Sequence, residues 1–199
     1  LTNGQHLVRS DEADLKALDL RKIVWGEPIY SAEREVHDII VAKSGAFDTL
    51  ERNLALLGRV GAAIELRTVV LKSNVSELED LANHISRHQS YAQVWAIMQL
   101  ENIGYARMNW DKEFCDTSVD FEGVAKAVDV VTGRGLATLL YNFPLCTVPE
   151  AYRRYCVESI SDWKQKFLVQ CSGCSLRSTC TGFFEWYPDA RGFEGVKRQ

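Results

Sequence analysis

The stretch "AIELRTVVL", residues 63–71, decides the fold. It is β-branched and apolar, and it reads as a buried strand. Working outward, Phe47, Leu50, Leu54 and Leu57 precede it at spacings of three, four and three, which predicts an amphipathic helix closed by Gly58 and Gly61. After it, Ser76-x-x-Glu79 has the form of a capping box and opens a helix with Leu78, Leu81 and Ile85 on one face. "QVWAIMQL", residues 93–100, is a second strand. Phe121, Val124, Val128 and Val131 mark a helix that ends at Gly133 or Gly135, and "LATLLY", residues 136–141, is a further strand.

The same alternation extends upstream. "RKIVWGEPIYS", residues 21–31, reads as a strand near 22–25 followed by a loop, and "REVHDIIVAK", residues 34–43, as a helix stopping near Gly45. The acidic "DEAD" after Ser10 fits a helix N-terminus, with Leu15, Leu18 and Leu20 on its apolar face. Strand–helix alternation with crossovers of this length implies parallel βαβ units, in a barrel or a doubly wound sheet. Either way, function gathers at the carboxyl ends of the strands. Past residue 141 the order changes. "NFPLCTVPE" is a proline-containing loop, "EAYRRYCVES" and "SDWKQKF" look helical, and a cysteine segment closes the chain.

The bulk properties narrow the function classes. The chain has 199 residues, 46% hydrophobic and 25% charged, values of a globular protein with one core of ordinary size. A net charge of −4 carries no basic nucleic-acid footprint. No apolar run approaches a membrane span and the first residues have no signal-peptide pattern, so a soluble cytoplasmic protein is expected, with neither nucleic acid nor membrane as partner.

Half of the six cysteines fall in "QCSGCSLRSTCTGFFEW", residues 170–186, as Cys171-x2-Cys174-x5-Cys180. In a reducing compartment such a hook more often binds metal than forms disulfides. Three thiolates leave a tetrahedral ion or a cubane cluster one ligand short, and Cys146, directly after a strand, is the best donor for the fourth place. Cys156 is the alternative and reads as core, while Cys115 has no nearby partner in sequence. Spacing does not separate zinc from iron–sulfur. At the strand exits, Ser31 and the residues around Leu100 (Gln99 to Glu101) are candidate pocket residues. Arg67 lies inside a run that should be buried, so it requires an anion or a carboxylate partner: Glu65, Glu101 or a bound ligand. The histidines read as core or surface residues, and no GxSxG, P-loop or GxGxxG is present.

"LTNG", "VWGEPIYS", "AIELRTVVLKSN" and "QVWAIMQLENIGYAR", in that order, resemble the second half of the partial barrel of radical S-adenosylmethionine enzymes. "YNFPLC", "SISDWK" and "CSGCSLRSTCTGFF" look more narrowly like the C-terminal region of radical SAM maturases from His-Xaa-Ser peptide-modification systems. The resemblance implies an α/β fold, the C-terminal portion of a (β/α)6 partial TIM barrel with a parallel sheet. Residues 1–135 would be later βα units and 136–199 a cysteine-rich extension like the SPASM and twitch domains.

It also implies a radical SAM enzyme acting on a precursor peptide or protein through a 5′-deoxyadenosyl radical. Cys146, Cys171, Cys174 and Cys180 would hold one auxiliary [4Fe–4S] cluster, and Ser31, Arg67, Asn3 and Leu100 would contact S-adenosylmethionine. The family's Cys-x3-Cys-x2-Cys loop and "GGE"-type motif are not in these 199 residues, and the missing N-terminal barrel half is expected upstream. The extension also departs from the usual Cys-x2-Cys-x5-Cys-x3-Cys pattern, since Phe184 occupies the last position. The competing expectation is a non-catalytic, cysteine-stapled α/β module, with zinc or no metal, that binds a peptide or protein partner.

Overall fold

The protein is described here by a computed structural model, which describes Leu7 and residues 12–196. Four strands, β1 (Val24–Pro28), β2 (Ala63–Val70), β3 (Val94–Gln99) and β4 (Ala137–Tyr141), form one parallel sheet in the order β1-β2-β3-β4. Ile64 pairs with Trp25, Thr68 with Ile97, and Ile97 with Leu140. The expected parallel α/β fold is therefore present, with strand limits within a few residues of those read from sequence.

The connecting helices are α2 (Arg34–Ile40) and α3 (Ala46–Arg59) between β1 and β2, then α4 (Leu78–His88) between β2 and β3. The short α5 (Gly104–Met108) and α6 (Trp110–Glu113) lead to α7 (Glu122–Thr132) before β4, and α1 (Glu12–Lys16) precedes the sheet. Side chains of a strand point alternately to its two faces. On β2 the buried set is Ile64, Leu66, Thr68 and Val70. Ile64, Leu66 and Val70 join Trp95, Ile97 and Leu140 in one core with Leu50, Leu54 and Leu57 of α3, Leu78, Leu81 and Ile85 of α4, and Val124, Val128 and Val131 of α7. The helices thus lie on one face. Strands in sequential order with every crossover on one side follow the winding of a barrel segment, not of a doubly wound sheet.

A buried polar chain ties this face together. Trp95 Nε1 donates to Thr68 Oγ1 (2.9 Å), which donates to the Ile29 carbonyl (2.6 Å), linking β3, β2 and the end of β1. At the carboxyl ends, fully buried Asn74 acts as a staple: its Nδ2 donates to the Tyr30 and Val69 carbonyls and its Oδ1 accepts from Leu71 N–H. That turn changes the expected capping box. Residues 75–77 form a 3-10 turn and α4 begins at Leu78 with no side-chain cap bond, so Ser76 does not cap it.

β4 pairs with β3, so the sheet layer reaches Tyr141, beyond the boundary expected after residue 135. The remainder is irregular. "EAYRRYCVES" and "SDWKQKF", expected as helices, contain the 3-10 turns Glu150–Tyr155 and Asp162–Lys164 and no α-helix, and the second runs on into a short strand. β5 (Gln165–Lys166) and β6 (Phe183–Phe184) form a small antiparallel pair. Two links fasten this extension to the sheet. Val157 N–H donates to the Leu140 carbonyl, continuing the sheet edge at Cys156. At the end of β4, Asn142 N–H donates to Ser159 Oγ, which in turn donates to Asn142 Oδ1; Thr181 Oγ1 accepts the N–H groups of Ser159 and Ile160. A second apolar cluster, Trp110, Phe114, Phe183 and Phe193, with Leu100, Tyr187 and Cys171 packed against it, joins the extension to the segment after β3.

Glu27 of β1 is fully buried, and neither carboxylate oxygen has a hydrogen-bond partner among the described residues. Burial raises its pKa from 4.5 to about 7. Below pH 4.5 the group is neutral folded or unfolded; between 4.5 and 7 the folded state holds the extra proton, so stability falls as pH rises through that window. The full cost, about 3 kcal/mol, applies above the folded pKa. Urea unfolding of Glu27→Gln against the parent should give curves whose stability difference shifts in the variant's favour from pH 4.5 to 7. Parallel profiles would show that the carboxylate is solvated.

Candidate functional site

The sheet face turned away from the helices carries the odd-numbered positions of β2. Glu65 and Arg67 lie two residues apart on it, and Arg67 Nε donates to Glu65 Oε1 at 2.6 Å. Their side chains are 14% and 27% exposed, so the pair is partly desolvated, and the carboxylate partner that a half-buried arginine requires is Glu65. Small neighbours flank it in register: Gly26 beside Glu65 and Ala96 beside Arg67. Tyr141, at the end of β4, belongs to the same face and senses the pair. Its phenol is pushed up chiefly by burial and further by Glu65, with Arg67 opposing. The inner face thus offers a guanidinium, a carboxylate and a phenol above small residues.

The other expected cofactor contacts are placed differently. Ser31 is buried at the end of the segment after β1, where its Oγ donates to Glu77 Oε2 (3.0 Å) and accepts Glu33 N–H (2.9 Å). It braces the loops after β1 and β2. Leu100 packs against the aromatic cluster of the extension. Glu101 is not the partner of Arg67: burial raises its pKa, while Lys164 and Trp186 of the extension oppose the rise. Asn3 lies outside the described residues. Arg67, Ser31 and Leu100 therefore occupy three surroundings: the inner face, a loop brace and the junction with the extension.

The cysteine hook folds back on itself through 3-10 turns at 169–171 and 177–179, with Gly173 and Gly182 in the left-handed region (φ 68° and 67°). Around Gly182 the Lys166 carbonyl and Phe167 ring come so close that a Cβ would crowd them. That close approach lets Gly182 N–H reach Cys180 Sγ (3.4 Å), and Leu145 N–H, from the loop after β4, donates to the same sulfur (3.4 Å). Two backbone N–H groups thus converge on one sulfur. The Cys171 thiol is raised by burial and, beyond that, by the neighbouring thiols of Cys180 and Cys174. Cys174 and Cys180 line an open cavity of about 710 Å³ with Asp162, Arg177 and Phe167.

Cys146 lines a separate pocket of about 360 Å³ and lies near Tyr187, whose phenol it helps to raise after burial. Cys156, which the sequence suggested as core, borders Cys180: its thiol is pushed up to about 12 by burial first and the Cys180 thiol second. Cys115 is buried in the main core and its thiol is pushed up to about 11 by burial. Among the described residues no three His, Cys, Asp or Glu side chains converge closely enough to hold a single metal ion. A cubane cluster holds its thiolates on separate iron corners, farther apart than one ion does. Cys171, Cys174 and Cys180 supply the residue type that such a group takes, and Cys146 lies on the separate pocket.

The described histidines lie away from the cysteine hook and the inner-face pair. His37 is buried, accepts Tyr30 N–H on Nδ1 and has its pKa lowered by burial, while His84 meets the Glu51 carboxylate at 3.1 Å.

The inner-face pair is testable by a double-mutant cycle. Arg67→Ala strands a 14%-exposed carboxylate and should cost more stability than the double variant Glu65→Ala/Arg67→Ala. A coupling energy of about 1–3 kcal/mol is expected from denaturant unfolding. Additive effects would mean that solvent screens the pair.

No protein-family model matches the chain, and no curated protein matches it. Among solved structures, the chain is similar to a domain of pyruvate-formate lyase-activating enzyme from Bacteroides vulgatus, with 10% sequence identity and a TM-score of 0.48 over 65% of this chain and 71% of that one.

Proposed function

We propose that the chain forms the later βα units and the extension of a radical S-adenosylmethionine enzyme that acts on a peptide or protein. In this reading Cys146, Cys171, Cys174 and Cys180 hold an auxiliary [4Fe–4S] cluster. The observation that carries it is the Cys180 sulfur. It receives two backbone N–H groups, one of them from the loop that leaves the carboxyl end of β4. A hydrogen-bonded sulfur among further cysteines, where an extension meets the carboxyl end of a parallel sheet, suits a cluster ligand better than an inert core cysteine.

The protein's own residues have definable tasks. The Asn142–Ser159–Thr181 bonds hold the hook against β4, and the Phe183 and Phe193 cluster excludes water behind Cys171. On the inner face, Arg67 supplies the positive charge for a cofactor carboxylate, and its existing bond to Glu65 orients the guanidinium. When bound, the cluster would supply one-electron chemistry, with a potential tuned by the N–H groups on its sulfurs.

Anaerobic reconstitution with ferrous iron and sulfide is the test. The chain should take up iron and acid-labile sulfide in equal amounts, with broad visible absorbance. Cys180→Ala and Cys174→Ala should each lose most of both, whereas Cys115→Ala, in the core, should retain them. Iron uptake unchanged in the Cys180 and Cys174 variants would remove the hook from the site. Uptake of zinc alone would favour the non-catalytic module.

A further inference from the structure

The pocket of about 360 Å³ lies between the segment that leads into α7 and the loop after β4. Those two segments follow adjacent parallel strands, β3 and β4, so the pocket is at the carboxyl rim of the sheet, where open parallel sheets bind ligands. Thr117 and Phe121 line one side, and Cys146, Val148 and Arg153 the other. We propose that it binds a small carboxylic acid, with the carboxylate held by Arg153 and the Thr117 hydroxyl and the apolar portion against Phe121 and Val148.

Three observations converge on that ligand class. Thr117 is 1% exposed, yet its Oγ1 has no hydrogen-bond partner among the described residues. Buried hydroxyls are rarely left so, and an orphaned one in a pocket wall points to a partner supplied from outside. The imbalance extends one residue deeper. Gln99 Nε2 and Thr117 N–H both donate to the Cys115 carbonyl, leaving Gln99 Oε1, also buried, without a donor among the described residues. Second, among the described residues that line the pocket Arg153 is the one charged side chain, and its Nε donates to the Val148 carbonyl (3.1 Å), fixing the guanidinium at the wall. The neighbouring acid, Asp116, accepts the N–H groups of Ser118 and Glu194. Third, Phe121 is held edge-on by Phe143 and against Tyr152, a stiff apolar surface. One cation, one hydroxyl and a rigid apolar wall in this volume fit a branched or aromatic monocarboxylate.

A free acid and the C-terminal carboxylate of a peptide share this chemistry, and titration calorimetry on the 199-residue chain separates them with three probes: 3-methylbutanoate, N-acetylglycyl-L-valine and 3-methylbutanamide. At least one acid should bind saturably, and the amide should bind about tenfold more weakly or not at all. Tighter binding of the dipeptide identifies a peptide terminus as the natural occupant, and tighter binding of 3-methylbutanoate a free acid. Arg153→Gln and Thr117→Val should each weaken the acid about tenfold, the valine keeping the shape of threonine so that fold loss does not confuse the result. Equal affinity for acid and amide, acid binding unchanged in both variants, or no saturable binding at millimolar concentrations would overturn the proposal. Iron uptake by the hook is measured separately, so failure here leaves the cluster proposal standing.

Discussion

Strands β2, β3 and β4 each bury large apolar residues on the same side of the sheet, and much of the molecule follows from that constraint. Ile64, Leu66 and Val70 of β2, Trp95 and Ile97 of β3 and Leu140 of β4 are buried against α3, α4 and α7. With a side-chain period of two, a slip of one residue in β2 would drive Glu65 and Arg67 into that core and expose its leucine and isoleucine. The register is therefore held by hydrophobic burial, and the charged pair on the opposite face is its by-product. The buried Trp95–Thr68–Ile29 chain conforms to the same rule, since its polar atoms satisfy one another beneath the helices.

The extension solves a different problem. Its helical turns are single 3-10 turns and its strands are two residues long, so repetitive backbone hydrogen bonding contributes little. Side-chain-to-backbone bonds through Asn142, Ser159 and Thr181 replace it, together with the packing of Trp110, Phe114, Phe183 and Phe193. These contacts are independent of metal. A hook preassembled by them would give up less ordering entropy on taking a cluster than one that folds around its metal. They also set the division of the thiols, with Cys174 and Cys180 on the larger cavity, Cys171 against the aromatic cluster and Cys146 on the rim pocket.

The polar groups left over are unevenly distributed. Glu27 sits under the helices with no hydrogen-bond partner among the described residues, and Gln99 and Thr117 mark the carboxyl rim beside β3. A buried carboxylate without a hydrogen bond weakens the fold at neutral pH, whereas an orphaned hydroxyl at a pocket wall is a place where a ligand restores the balance. The distinction is one of position: Glu27 and Gln99 belong to strands, whereas Thr117 lies in the loop that leads into α7.

Periodicity by itself determined the strands, the amphipathic helices α3, α4 and α7 and the parallel class, because each needs only local spacing of apolar residues. It also required a carboxylate for Arg67, and the i, i+2 relation on a strand makes Glu65 the nearest one. Tertiary structure decided the rest. "EAYRRYCVES" carries helical spacing, but it lies along the edge of β4, where Cys156 and Val157 extend the sheet. Ser76 has the pattern of a cap, but Asn74 shapes the turn by reaching the carbonyls of β1 and β2. Ser31 finds Glu77, Leu100 finds the extension, and Cys156 comes beside Cys180. Each of these pairs joins segments well separated in the chain. Their meeting depends on how the strands stack and where the loops return, and no local spacing records that.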